Sequence, residues 1–200
     1  MLASGEVGVA LAHSALRVLV GGGTGAALGL VVGLLVGRGG FGRVLGSPLA
    51  LVRPIPPIAW IPLTLLWFGV GELQQWAILA GATFHVVTAG VRDALDRVPA
   101  SLVESAKNLG SRGFGLELVR LRAAAPELGF TLREGLAMAW FVLVAAELVS
   151  ATEGIGVLVL QGRDLLLPAR TFVGMLTLSV AAGLSDALLR RVGFGVGVQR

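Results

Sequence analysis

The chain is 200 residues long, 55% hydrophobic and 14% charged, with no cysteine and a formal net charge of +4. A mean hydropathy of +0.85 excludes a domain solvated on all sides, since soluble domains are about a quarter charged. Disulfides and thiolate metal sites are excluded as well, and in so apolar a chain the basic excess marks a cytoplasmic membrane face rather than nucleic-acid binding.

Residues Met1–Ala12 lack a basic opening, and their apolar run is short and broken by Glu6, so no cleavable signal peptide is expected. Five apolar stretches follow: Val18–Gly37, Ile55–Val70, Leu73–Val91, Leu128–Val149 and Leu165–Leu189. Each approaches the roughly 20 residues that a helix needs to cross a bilayer. The expectation is an all-α polytopic membrane protein, a single transmembrane domain over residues 1–200. With the amino terminus outside, segments 38–54, 92–127 and 190–200 lie inside and hold twelve Lys and Arg residues. Only Arg17, Arg163 and Arg170 fall outside, and Arg133 lies within the fourth span. This asymmetry sets the orientation.

The first span carries Gly21, Gly25, Gly29, Gly33 and Gly37. A spacing of four puts them in one row on a helix, where a neighbouring backbone can approach closely. The segment Arg53-Pro54-Ile55-Pro56-Pro57-Ile58-Ala59-Trp60-Ile61-Pro62 cannot form a regular helix, because each proline removes a donor and restricts its predecessor. Broken backbone at membrane depth is tolerated where it lines a cavity or is buried in protein. Pro54, Pro56, Pro57, Trp60 and Pro62 are therefore either a pathway or gate element, or a helix start at the inner interface with belt tryptophans.

The polar segment, about 92–127, falls on the inner side. Pro99 or Ser101 opens a helix there, on which Leu102, Val103, Ala106 and Leu109 form an apolar stripe. Gly110 stops it, where a residue able to take positive φ is needed. A second amphipathic helix, about Phe114–Leu121, leads to Pro126 and the fourth span. The pair is either a knob that seats in a groove of a partner, or an interfacial pair lying on anionic lipid through Lys107, Arg112, Arg120 and Arg122.

Few other polar groups stand out. His13 and His85 have no metal-ligand spacing. Glu147 is an intramembrane acid and so a candidate functional group, or one held by a structural partner or water. Asp186 faces Arg190 at i,i+4. No nucleophile–base set, paired carboxylates or phosphate loop is present, so neither catalysis nor a cofactor is expected of this chain alone.

Four segments resemble one family, the permease subunits of bacterial ABC importers, in the branch serving nitrate, taurine, aliphatic sulfonates and thiamine precursors. They are Ser14-Ala15-Leu16-Arg17 with Gly21; the proline-rich run with Trp67-Phe68-Gly69; Glu104-Ser105-Ala106 with Gly110, similar to the family's EAA loop; and Ala139-Trp140 to Glu147 with Gly154-Ile155-Gly156. The resemblance implies a type I importer permease fold in the inner membrane, with coupling helices formed by Val103, Glu104, Ser105, Ala106, Leu109, Gly110 and Arg112. It implies as partners a cytoplasmic ATP-binding subunit that hydrolyses ATP, an extracytoplasmic solute-binding protein and a second permease copy. Departures are Leu121-Arg122-Ala123 in place of the EAA loop's leucine–proline pair, and His85 after Phe84 where many members have proline. The branch usually has six spans, and the resemblance leads to the expectation that the first of them is absent here, either genuinely or because the reading frame is truncated. An ATP-independent carrier is the alternative; it requires intramembrane ionisable pairs, for which Glu147 and Asp186 are the candidates. A membrane-enzyme component requires a clustered polar constellation, and none is visible in the sequence.

Overall fold

The computed structural model describes residues 4–37 and 54–191, and among them all regular structure is helical. The elements are α1 (Ser4–Arg17), a π-helical turn Val18–Gly22, α2 (Gly23–Val36), a 3-10 turn Pro57–Trp60 and α3 (Ile61–Phe68). Then come α4 (Glu72–Asp96), α5 (Ala100–Asn108), α6 (Phe114–Ser150), α7 (Ile155–Asp164) and α8 (Pro168–Leu189).

The glycine row organises the packing. A Cβ at Gly21 would meet Trp76 and Leu79, one at Gly25 the backbone of Ala80, one at Gly29 Phe84 and Val87, one at Gly33 Thr88 and Val91, and one at Gly37 Leu95. Both sets of numbers rise together, so α2 and α4 run parallel in close backbone contact, as small residues permit. Thr88 Oγ1 donates to the carbonyl of Gly29 across this seam at 3.4 Å. On its other side α4 meets α6 antiparallel, Gly90 against Thr131 and Gly135 against Val87 and Thr83. Leu79, Val87, Val91, Ala139, Val142 and Leu143 are completely buried between the helices.

Several expected boundaries move. The first helix begins at Ser4, because Glu6 sits in its first turn, where an acid suits the helix dipole. The separate helix expected at Phe114–Leu121 is the opening of α6, which continues through Pro126 without a break. A proline costs one backbone bond and a local clash, which a helix of 37 residues absorbs. The last helix starts at Pro168 rather than Leu165, and Ile155–Asp164 forms a helix of its own. Proline is suited to a first turn.

Among the described residues, two helices can cross a bilayer by length and composition, Gly5–Val36 and Pro168–Leu189, or three if α6 and α7, bent by 54°, count as one. Pro57–Phe68 is shorter than a span, unlike the expected Ile55–Val70. The helix α4 has 25 residues but carries Glu72, Gln74, Gln75, His85, Arg92, Asp93 and Asp96. On α8, Phe172, Met175, Leu176, Val180, Leu184 and Leu188 are exposed, a face that only lipid or another protein surface can cover.

Candidate functional site

The polar loop is built by helix ends. Pro99 is the N-cap of α5 with an extended backbone, and its carbonyl accepts from the N–H groups of Leu102 and Val103. Gly110 takes φ +91; its N–H bonds the Lys107 carbonyl at 3.0 Å, and the Ser111 N–H bonds that of Ala106 at 2.9 Å. These two bonds close the helix with a left-handed residue. Gly113, at φ +54, makes the second turn into α6.

The expected apolar stripe is split. Val103 and Ala106 are buried, whereas Leu102 and Leu109 face outward. Leu109 is 88% and Phe114 80% exposed, with exposed Arg112 between them. Glu104 and Ser105 are exposed too. Glu104 and Lys107 edge a groove of 320 Å³ that reaches Leu95, Val103, Glu117 and Arg120. Beside the loop, Arg97 pairs with Glu127 at 3.3 Å.

At the opposite end of α6 lies a buried polar network that the sequence did not assign. Glu147 is 1% exposed. Its Oε1 accepts from Ser14 Oγ at 2.6 Å and from Arg17 Nη1 at 2.7 Å, and its Oε2 from the Gly156 N–H at 2.7 Å. Arg17 is equally buried; it donates to the Glu153 carbonyl at 2.5 Å and through Nε to Glu72 Oε2 at 2.9 Å. A further contact joins Arg17 Nη2 to Glu72. The Ile155 N–H donates to Ser14 Oγ at 2.9 Å. Outside this shell, His13 Nε2 meets Glu153 at 2.7 Å. Ser150 Oγ donates to Gln74 Oε1 at 2.6 Å, and Gln74 Nε2 to Thr64 Oγ1 at 3.0 Å. Buried charges persist only when paired and bonded in this way. The arrangement has no free carboxylate and no open position for a substrate, and it fastens residues 153–156 to α1, α4 and α6.

The signal for this network was present but scattered. Arg17 is a lone cation beside an apolar span, and Glu72 and Glu147 are acids at the same expected level. Nothing local says that three segments 55 and 75 residues apart meet. A second pair was half anticipated: Asp186 bonds Arg190 at 2.8 Å, and Arg133 reaches the same carboxylate at 2.5 Å.

The proline-rich segment borders a groove of 640 Å³. Of the expected gate residues, Pro57 and Trp60 line it, with Thr64, Trp67, Phe84 and His85. Pro54, Pro56 and Pro62 are exposed outside it, and Glu147 lies in the network above. The row Ala77, Gly81, His85 and Ala89 of α4 borders the same groove, whose lining among the described residues has no Asp, Glu, Lys or Arg.

Apolar helices, tight glycine seams and intramembrane ion pairs define an integral membrane protein. The chain belongs to the family of binding-protein-dependent transport system inner membrane components, which matches residues 25–196. It is similar to the taurine transport system permease protein TauC of Escherichia coli K12, 33% identical over 182 residues that cover 90% of this chain and 66% of that one. It is also similar to the putative aliphatic sulfonates transport permease protein SsuC of Bacillus subtilis 168, 31% identical over 192 residues, 95% of this chain and 70% of the relative. The chain thus spans 66% of the length of the taurine permease. A solved chain of the MetNI methionine ABC transporter, in an inward-facing conformation, superposes with a TM-score of 0.65 at 18% identity, covering 96% of this chain and 99% of that one. It shows that the fold is shared with an ABC importer.

Proposed function

We propose that this chain is the permease subunit of an ATP-binding-cassette importer, and that residues Val103 to Arg112 couple it to a cytoplasmic ATP-binding subunit. The observation that carries the reading is the capped α5–α6 turn. It presents Glu104, Leu109, Arg112 and Phe114 on a rigid knob with two large apolar side chains facing outward. A rigid element passes on a displacement that a flexible loop would dissipate. An extracytoplasmic solute-binding protein delivers the cargo, and a second copy of the chain completes the path. Hydrolysis resides in the ATP-binding partner.

The groove beside Pro57 and Trp60 is the proposed wall of that path. Among the described residues its lining has no Lys or Arg to select an organic anion such as the taurine or sulfonates for which the relatives are named. Selection on this reading rests with the binding protein. The ATP-independent carrier is not favoured, because the matching family is binding-protein-dependent and the fold is shared with an ABC transporter.

Gly110→Pro tests the coupling. Proline fixes φ near −65° and has no N–H, whereas Gly110 has φ +91 and donates to Lys107. The expected result is normal membrane insertion with lost uptake and weakened co-purification of the ATPase. Undiminished uptake refutes the coupling role.

A further inference from the structure

The coupling loop and the buried network sit at the two ends of one helix. Counted from Phe114 to Glu147, α6 extends for about 50 Å at 1.5 Å per residue. Its first turn is the knob, and Glu147, near its last turn, holds Arg17, Ser14 and the Gly156 N–H. Through these bonds α6 grips both the amino-terminal helix and the start of α7. The fit is tight, since a Cβ on Gly156 would lie 2.7 Å from the Glu147 side chain and one on Gly154 2.7 Å from Arg17.

Arg17 has two carboxylates within reach, and they differ. Glu147 is on α6 and has no exposed side-chain surface; Glu72 is on α4 with its side chain 48% exposed. An arginine left alone in this interior would be strongly destabilising. With Glu72 in place it keeps a partner if α6 draws Glu147 away. Arg17 also directly precedes the π turn Val18–Gly22, a local irregularity frequent at functional sites.

We propose that Glu147, Arg17 and Glu72 form a latch at the outer end of α6. A displacement imposed on the α5–α6 knob pulls Glu147 from Arg17, Ser14 and the Gly156 N–H and parts α6 from α1. Glu72 retains Arg17, and residues 153–156 stay tied to α1 through the Glu153 carbonyl and the Ile155 N–H. The buried Glu147 carboxylate then lacks a partner, so release needs the nucleotide-driven push. This rests on the coupling reading above. Arg17 and Glu147 are positioning residues here; neither touches cargo.

The chain has no cysteine, so a spin-label pair can be introduced directly, at Gly8→Cys on α1, where the surroundings are open, and at Val149→Cys on the outer end of α6, which is 54% exposed. The assembled transporter, with its ATP-binding subunit, is measured by electron–electron double resonance with and without ATP plus vanadate. The unsubstituted latch should show a nucleotide-dependent shift of at least about 2 Å, the scale of switching helices. Glu147→Gln should fix the distance at the released value with or without nucleotide. Glu72→Gln should fix it at the latched value, because Arg17 can no longer leave Glu147. A purely structural role would broaden or unfold both variants alike. If either variant keeps the nucleotide-dependent shift, or both settle at one value, the latch is refuted while coupling stands. No shift in the unsubstituted chain refutes the latch, while the coupling reading is judged separately by uptake in the Gly110→Pro variant. Should Glu147→Gln fail to insert, Glu72→Gln alone decides, since it alters a half-exposed side chain.

Discussion

Gly25→Ala is the sharpest test of how α2 and α4 meet. The added Cβ would lie 2.8 Å from the Ala80 Cα and 2.9 Å from its carbonyl carbon, and against its oxygen, where ordinary contacts need about 3.5–4 Å. These are backbone atoms, so no rotamer change relieves the overlap and the helices must separate. Overpacking of this kind costs about 1–3 kcal/mol. Alanine returns about 1 kcal/mol through its better helix propensity, which leaves a net destabilisation of about 0–2 kcal/mol. Gly23 is the internal control: it is in the same helix with nothing near its Cβ position, so Gly23→Ala should stabilise by up to about 1 kcal/mol. The propensity gain is common to both, so the two variants should differ by the overpacking alone, about 1–3 kcal/mol, roughly 5- to 150-fold in the unfolding equilibrium. Equilibrium unfolding in mixed detergent and dodecyl sulfate micelles reads the difference. Equal shifts, or a stabilised Gly25→Ala, would refute the parallel backbone seam.

Other substitutions probe the far end of the molecule. Leu166 has φ +53 and is 86% exposed, so Leu166→Gly should gain on the order of 1 kcal/mol by relieving a left-handed residue while losing little burial; thermal melting of the purified protein checks it. Gly154→Ala should destabilise by more than 1 kcal/mol, on the order of 1–3, because Gly154 has φ +137 and its Cβ would collide with Glu147 and Arg17. Protease susceptibility after residue 150 should rise with it, and unchanged digestion would contradict the fastening of this loop. Asp186→Asn should cost less than Glu147→Ala in the same melting assay, because the Asp186 side chain is 31% exposed and breaking a fully buried pair costs about 3–5 kcal/mol.

Much of the polar α5–α6 turn was legible because its signals are local. Gly110 ends α5 with positive φ as its type and position require, and Asp186 and Arg190 are one turn apart. The glycine row predicted its own close contact, since a period of four fixes a helix face. The proline run was legible as broken helix but not as a wall: only Pro57 and Trp60 of it border the groove, a matter of where α4 lies.

Composition, charge asymmetry and helix-end chemistry thus determined that the chain is an apolar helical protein with a rigid polar knob, because each depends on residues within one or two turns. The tertiary structure decided the rest. It carried α6 unbroken from that knob to Glu147, since a long packed helix tolerates Pro126. It also brought Ser14, Arg17 and Glu147 into one buried cluster with Glu72 at its exposed edge. Which acid answers which base depends on the crossing of α1, α4 and α6, and no local pattern encodes a crossing.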